Sequence, residues 1–394
     1  MSLSPADDAT DRPGLRTDRC PGVLRVFPAA DGGIARLRFP GGRLRPADWT
    51  ALAAIAADHG GDVHLTSRGN LQIRGVRDEE LLRRRVDEHG LLPSAAHDRV
   101  RNIIASPLAG RLEGHHDLGD LPERLDAALL ARDDVTGLSG RFLFGLDDGS
   151  GDVLAHYPDL AAVAGGPGEP LRVYVAGRDA AVEVSAEDAA TVLVDAAAEF
   201  ARRAEGTWRV PGSGELHDLV VAALERHEVT AAGAAPRLPT TLVDGPRIGW
   251  IDTADGLVSL LAVVPFGVVP ARLAEFLGAV ERPSTVSADK VIGLHELTED
   301  MAEQVVRVLA PMGMVFDAAS PWVDVTACTG LPGCGNALTD VRYDAADALR
   351  RGDLPSAGPQ HWVGCERGCG YTGRGARITA TADGYRVERP AETP

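Results

Sequence analysis

Two stretches of this chain spell out the same order of elements, and an internal duplication of that kind leaves few folds open. In the first, residues 34–39 alternate as a strand does and Pro40-Gly41-Gly42 turns the chain. Pro46-Ala47-Asp48 then opens an amphipathic helix to about residue 57, which His59-Gly60-Gly61 ends. Residues 63–75 return as extended chain, and 78–89 make a second helix stopped by Gly90. The second stretch gives a strand over 257–264, a turn at Pro265-Phe266-Gly267 and a helix from Pro270 to about 280. Extended chain over 289–297 and a helix over 298–309 complete it. Each β-α-β-α unit has the length of half a ferredoxin-like sandwich, so the pair predicts an α+β fold with a pseudo-two-fold inside one chain.

The repeat extends past these units. Residues 100–110 follow the first copy and 323–328 follow the second at a matching distance. Between the copies lies an insert, about 138–230, with strands over 141–146 and 171–176, a capping-box helix opening at Ser185 and another helix near 216–227. The expected division is a half domain over 20–92, a first cofactor- or substrate-contacting domain over 93–235, a second half domain over 236–315 and a cysteine-bearing domain over 316–394.

Cysteines occur in the second copy's trailing segment and not in the first's. Four of the five fall there, as Cys328-x5-Cys334 and Cys365-x3-Cys369, with glycines beside nearly every one. Four thiolates on two glycine-rich loops suit a [4Fe–4S] cluster, because backbone N–H groups can approach the sulfides where no Cβ intervenes. Structural zinc more often shows two-residue knuckles, which are absent, although longer spacings occur; a disulfide or an inert pair is the third reading. The fifth, Cys20, reads as an incidental thiol.

Compartment bears on that choice. The N-terminal stretch to Arg19 is acidic and has no apolar run like that of a secretory signal. The most apolar run, 257–269, is broken by Ser259 and Pro265 and is too short to span a bilayer. A cytoplasmic chain without membrane attachment is therefore expected, and there grouped cysteines usually mean metal. The net charge of −17 argues against nucleic acid, whose binding needs a basic surface.

A local basic face is nonetheless expected. From Asn70 the alternation is strict, with Leu71 and Ile73 on one side and Asn70, Gln72 and Arg74 on the other. Arg101, Arg111 and Arg141 lie in segments that a two-fold sandwich would bring to the same cleft. Arginine is suited to bidentate binding of carboxylate and phosphate, so an acidic chain that concentrates arginines near a metal centre implies a polyanionic ligand.

Thr66-Ser67-Arg68-Gly69-Asn70-Leu71-Gln72-Ile73-Arg74-Gly75, then Arg101-Asn102-Ile103, then Ser106-Pro107-Leu108-Ala109-Gly110 and the two cysteine pairs resemble the nitrite/sulfite reductase superfamily. The resemblance runs over about residues 23–389. It implies two ferredoxin-like half domains, two α/β domains of the 4Fe-4S type, and a [4Fe–4S] cluster on Cys328, Cys334, Cys365 and Cys369. In the family's reductases the last of these also bridges to sirohaem iron.

Sulfite-reducing members carry two lysines around a phenylalanine, where this chain has Arg141-Phe142-Leu143. Leucine can neither donate a proton nor neutralise an oxyanion. That departure, and the wording around Cys365, resemble the branch that makes cobalamin aerobically. The branch implies an oxidoreductase that uses O2 to hydroxylate precorrin-3A, a tetrapyrrole with eight carboxylates, and to close a lactone. Electrons would come from an external donor fed by NAD(P)H. On this resemblance Arg68, Arg74, Arg101 and Arg141 are expected to bind substrate carboxylates and Asn70, Gln72 and Asn102 to donate hydrogen bonds, with Arg101 and Arg141 also catalytic. A mononuclear non-haem iron is expected for oxygen chemistry, with His115 and His116 as its candidate ligands. The alternatives are a small sirohaem-dependent nitrite or sulfite reductase and a non-catalytic Fe–S electron-transfer subunit.

Overall fold

The computed structural model describes residues 18–166, 168–227, 230–231 and 245–389. The expected boundary at 235/236 and the acidic stretch up to residue 17 lie outside them. Among the described residues the fold is mixed α+β, with four sheets. The first orders its strands Phe27–Ala29, Gly32–Leu37, Leu71–Val76, Asp62–Leu65 and Val268–Pro270. Its counterpart orders Gly249–Asp252, Val258–Val263, Val291–Leu297, Ser284–Val286 and Arg43–Leu44. Each half therefore donates one short strand to the other's sheet: Val268–Pro270 pairs with Asp62–Leu65, and Arg43–Leu44 pairs with Ser284–Val286.

The duplication holds down to single backbone torsions. Gly41 and Gly42 have φ of 63° and 66°, and their counterparts Phe266 and Gly267 have 58° and 67°. Gly69 at 61° answers to Lys290 at 63°, and Gly75 at 69° to Glu296 at 59°. A left-handed conformation costs a side chain of order 1 kcal/mol, so its retention at non-glycine positions shows how tightly the repeat fixes these turns.

Both units close one core. Leu37, Leu52 and Ile73 from the first and Leu260, Leu277 and Ile292 from the second belong to a single buried cluster. The helices Pro46–Asp58 and Ala271–Ala279 cross at its centre. A Cβ on Gly278 would stand 2.7 Å from Thr50 Oγ1, which is how closely they approach. Trp49, fully buried on the first helix, donates its Nε1–H to Ser284 Oγ at 2.7 Å across the pseudo-two-fold.

The two remaining sheets carry the trailing segments. One orders Thr230–Ala231, Arg178–Val184, Leu171–Val175, Leu160–Ala164, Phe144–Asp147 and Ile103–Ala105; the last three of these run parallel. The other orders Val325–Ala327, Gln360–Val363, Ala376–Thr381 and Gly384–Glu388, and its first three strands are parallel. The helix Ala189–Arg203 starts later than the expected capping box: Asp188 N–H donates to Ser185 Oγ at 3.0 Å, but Asp188, the N-cap, makes no side-chain capping bond. No helix among the described residues is long and apolar enough to cross a membrane.

Candidate functional site

Parallel pairing places the two cysteine loops side by side. Ala327 pairs with Trp362, so Cys328 and Cys365 leave neighbouring strands at the same edge of the sheet. Cys328 N–H donates to Trp362 O at 2.9 Å, and Leu338 N–H to Gly364 O at 2.8 Å, which stitches one loop to the other. Gly364 N–H donates to Cys328 Sγ at 3.3 Å. A Cβ on Gly364 would come within 2.6 Å of Ala337 Cβ, so only glycine lets this amide reach the sulfur.

The four thiols share one electrostatic environment. Burial pushes Cys328 up, and Cys334 and Cys365 push it further. Cys369, at the rim, is raised by desolvation and by the other three. Like charges forced together in this way are relieved by a bound cationic centre. Zinc–sulfur bonds of about 2.3 Å would set thiolates roughly 4 Å apart. Among the described residues no three of these sulfurs lie within 4.8 Å of one another. The donor set and the backbone N–H to sulfur contact fit a [4Fe–4S] group.

Cations ring the cradle. Arg342 Nε donates to Cys328 O at 3.1 Å, and Lys290, the chain's one lysine, lies in the field of Arg342 and Cys328. Arg74 reaches the loop as well, donating to Gly333 O at 2.9 Å while it forks onto Asp31 with both contacts at 2.9 Å. His64 is pushed down to about 3 by burial and by Arg342, Arg74 and Lys290, so it stands there as neutral imidazole.

From this end a polar sheet face runs away from the cysteines. Arg36 pairs in register with Gln72, and Gln72 with His64, which puts all three on the face that carries Arg74. Arg36 donates to Gln72 Oε1 at 3.3 Å. Beyond it come Arg68, Arg141, which lies 4.3 Å over the Trp208 ring, and Arg209, which is bound to Asp159 at 3.0 Å. Burial and the neighbouring Arg36 bring Arg68 down to about 10, so it remains charged at neutral pH at an electrostatic cost. The Nε atoms of Arg36 and Arg68 are both shielded from solvent without a hydrogen-bond partner. Among the described residues, Arg36, Arg68 and Arg141 form no ion pair, and Cys20 is the buried thiol beside Arg36 and Arg68.

The other expected site residues are committed elsewhere. Arg101 forks onto Asp126 at 2.6 and 2.7 Å. Asn102 is a bracket: its Oδ1 accepts from Arg38 and Asn70, and its Nδ2 donates to the carbonyls of Arg99, Gly140 and Phe142. Asn70, fully buried, donates from Nδ2 to Asn102 Oδ1 at 3.0 Å, while its Oδ1 is shielded from solvent without a partner. A cleft of about 680 Å³ does border Arg101, but Arg43, Arg45 and Arg111 there pair with Glu123, Asp48 and Glu296, and Arg38 is spent on Asn102 Oδ1 and on the carbonyls of Asp98 and Pro21. Leu143 packs with Ile104, Val153 and Ala288, away from the cations. Nor are the two adjacent histidines brought to one point: His115 faces Asp148 at 3.4 Å, whereas His116 Nδ1 bonds Gly166 O at 3.1 Å. Sequence reasoning missed Arg36, Arg209 and Trp208; Arg36 could have been found from its place in the expected strand opposite Gln72.

Residues 28–83 match the family profile of the nitrite/sulfite reductase ferredoxin-like half domain. The precorrin-3B synthase of a Sinorhizobium species is similar over nearly the whole chain, with 24% identity across 388 aligned residues, covering 92% of this chain and 80% of that protein. The ferredoxin–nitrite reductase of Leptolyngbya laminosa is 38% identical over 82 residues, 20% of this chain and only 16% of the reductase. Among solved structures, NirA of Mycobacterium tuberculosis superposes with a TM-score of 0.72 at 16% identity, over 92% of this chain and 76% of that one, a likeness of fold.

Proposed function

We propose that this chain is a precorrin-3B synthase, an oxidoreductase that hydroxylates precorrin-3A with O2 and closes a lactone from a side-chain acetate. The observation that carries the reading is the group of three guanidinium ions without carboxylate partners, Arg36, Arg68 and Arg141, on the sheet face that ends at the cysteine loops. Holding half-buried, unpaired cations together is costly, and a polycarboxylate removes that cost on arrival. Successive same-face residues on a strand stand about 7 Å apart, so the face from Arg74 to Arg68 has the span of a macrocycle with its acid groups spread around it. Gln72 supplies a neutral donor midway, and Trp208 backs Arg141 and fixes its plane.

Cys328, Cys334, Cys365 and Cys369 would hold the [4Fe–4S] cluster, which supplies one-electron transfer when bound. Arg342, Lys290 and Arg74 keep the surroundings positive, and His64 adds a neutral imidazole. Arg74 and Arg101 serve this reading by holding loops: Arg74 ties the cysteine loop to the sheet, and Arg101 braces the helix Leu121–Leu130 through Asp126. In the balance of the reaction, one oxygen atom of O2 enters the product and the other leaves as water. Two electrons and two protons come from a donor fed by NAD(P)H. The division at 20–92, 93–235, 236–315 and 316–394 belongs to this proposal.

A small sirohaem-dependent nitrite or sulfite reductase is the second reading, favoured by the half-domain match. The test is the spectrum and reactivity of anaerobically purified protein. A broad iron–sulfur absorption with no Soret band, together with precorrin-3A turnover only in air, supports the synthase. A Soret band coupled to the cluster, with nitrite or sulfite reduced, replaces it by the reductase.

A further inference from the structure

The duplication contains one side chain that its own turn does not require. Thr66 and Ser287 open the same turn in the two half domains. Thr66 N–H donates to Asn70 O at 3.0 Å, and Gly69 N–H to Thr66 O at 3.2 Å. Ser287 N–H donates to Val291 O at 2.9 Å, and Lys290 N–H to Ser287 O at 3.0 Å. The hydroxyls match too: Asn70 N–H donates to Thr66 Oγ1 at 3.2 Å and Val291 N–H to Ser287 Oγ at 3.3 Å. The fourth residue of each turn is left-handed, with φ of 61° at Gly69 and 63° at Lys290. Glycine takes that conformation freely, whereas lysine is strained in it. Strain kept at such a position points to a use for the side chain.

The stem of Lys290 leads toward the cysteines. A Cβ on Gly267 would stand 3.0 Å from Lys290 Cδ and 3.4 Å from Leu65 Cβ, so the stem lies over this glycine, beside the strand Asp62–Leu65 of the other half. Val268, the next residue, pairs with His64. Phe266, on the other side of Gly267, packs with Cys328 against the core of the cysteine domain. The ammonium lies in the field of Cys328 and of Arg342, whose Nε donates to Cys328 O at 3.1 Å. The one group in that field able to carry negative charge is Cys328. Asp289, next in sequence, is held by His156 at 3.3 Å and Arg374 at 3.7 Å. Burial pushes His64 down to about 3 and His361 to about 4, so the imidazoles nearby are neutral.

We propose that Lys290 is a positioning residue for the cluster: its positive charge favours the reduced state and so raises the reduction potential. The inference rests on the [4Fe–4S] group of the function proposed above. Reduction adds one electron, supplied by the donor fed by NAD(P)H, to a group already made negative by four thiolates. No bond forms or breaks, and the ammonium keeps its protons. Net charge is among the factors that set such potentials, and a partly buried cation is screened by salt less than a solvated one. Arg342 and Arg74 differ from Lys290 in being tied to carbonyls of the first cysteine loop, those of Cys328 and Gly333. The side chain of Lys290 makes no hydrogen bond or ion pair among the described residues, so its charge can be removed without untying a loop.

The test uses the full chain, purified anaerobically with its cluster loaded, and reads the midpoint potential by redox titration followed through the paramagnetic resonance of the reduced state. Lys290→Met should keep wild-type iron and sulfide while the potential falls by about 60 mV or more, a tenfold shift in a one-electron equilibrium. Lys290→Gly gives the turn the residue of its counterpart and should show the same fall, with a melting temperature no lower than that of wild type. Lys290→Arg should keep the wild-type potential. Wild-type potentials in Lys290→Met and Lys290→Gly, or a fall in Lys290→Arg as large as in Lys290→Met, would overturn the proposal. A lower melting temperature with the potential unchanged would make Lys290 a structural residue. Wild type without acid-labile sulfide would strike the cluster reading instead. If Lys290→Met fails to fold or to hold iron, the difference between Lys290→Gly and Lys290→Arg decides the question.

Discussion

Replacing Arg68 by methionine should weaken substrate binding and strengthen the empty protein, a combination that few roles for an arginine would give. The stem is kept while the charge and the donors go. Arg68 has a solvent-shielded Nε without a partner and lies beside Arg36 and Arg209, so in the free chain its guanidinium is a liability. An unpaired buried donor costs about 1–3 kcal/mol, and the neighbouring charges add repulsion; on that side the variant gains about 1 kcal/mol after packing losses. The matching thermal shift is upward by about 2 °C. On binding, one charge-assisted pair with a carboxylate is lost, about 1.5–3 kcal/mol, which raises Kd by roughly 10- to 150-fold. Equilibrium titration with uroporphyrin, an octacarboxylate, and chemical denaturation of the ligand-free protein read the two effects separately. The salt dependence of binding should also become shallower. Unchanged affinity, or lower affinity together with a less stable free protein, would refute the reasoning and make Arg68 a structural residue.

Cys365→Ser should abolish acid-labile sulfide and the iron–sulfur absorption; a variant with full iron and sulfide would remove this residue from the ligand set. Gly364→Ala forces a methyl group to within 2.6 Å of Ala337 Cβ, so about 1–3 kcal/mol of stability and much of the cluster should be lost, as measured by denaturation and iron content. Arg74→Met leaves Asp31 without its partner and frees the Gly333 carbonyl, which should cost about 2–4 kcal/mol and speed cluster loss under air, followed by bleaching. His295 is fully buried between Ser259 and Thr285, and burial together with Arg111 and Arg43 holds it well below 6.5. Above about pH 6.5 it is neutral folded and unfolded, and contributes nothing to pH dependence. Below that, the unfolded chain takes a proton that the folded one refuses, so stability falls by about 1.4 kcal/mol per pH unit. Denaturation at pH 6.5 and 5.5 should show a loss of about 1 kcal/mol from this residue in wild type that His295→Asn lacks.

Much of the scaffold could be read from residue order because it rests on local signals. Pro46 and Pro270 mark helix starts, and period-two alternation marks the strands Leu71–Val76 and Val258–Val263. The cysteine pairs were legible for the same reason, since their ligand spacing is local. What escaped was long-range. Nothing in Arg43–Leu44 announces that it pairs with Ser284–Val286 rather than with its own half. Arg101 has the look of a substrate clamp until Asp126, a helix away, takes both its donors. Arg36 was passed over because its importance depends on an opposing strand and on Arg68 and Arg141 arriving from elsewhere.

The strand exchanged between the two halves bears on how such a chain can be cut or rebuilt. Neither half owns all of its own sheet, so a gene fragment encoding one would leave a bare edge seeking the missing ribbon from any neighbour, and two such fragments would find each other or precipitate. The ancestral duplication is thereby knotted into a single folding unit. Its two copies are free to diverge, with cysteines in one trailing segment and none in the other, because neither can be discarded.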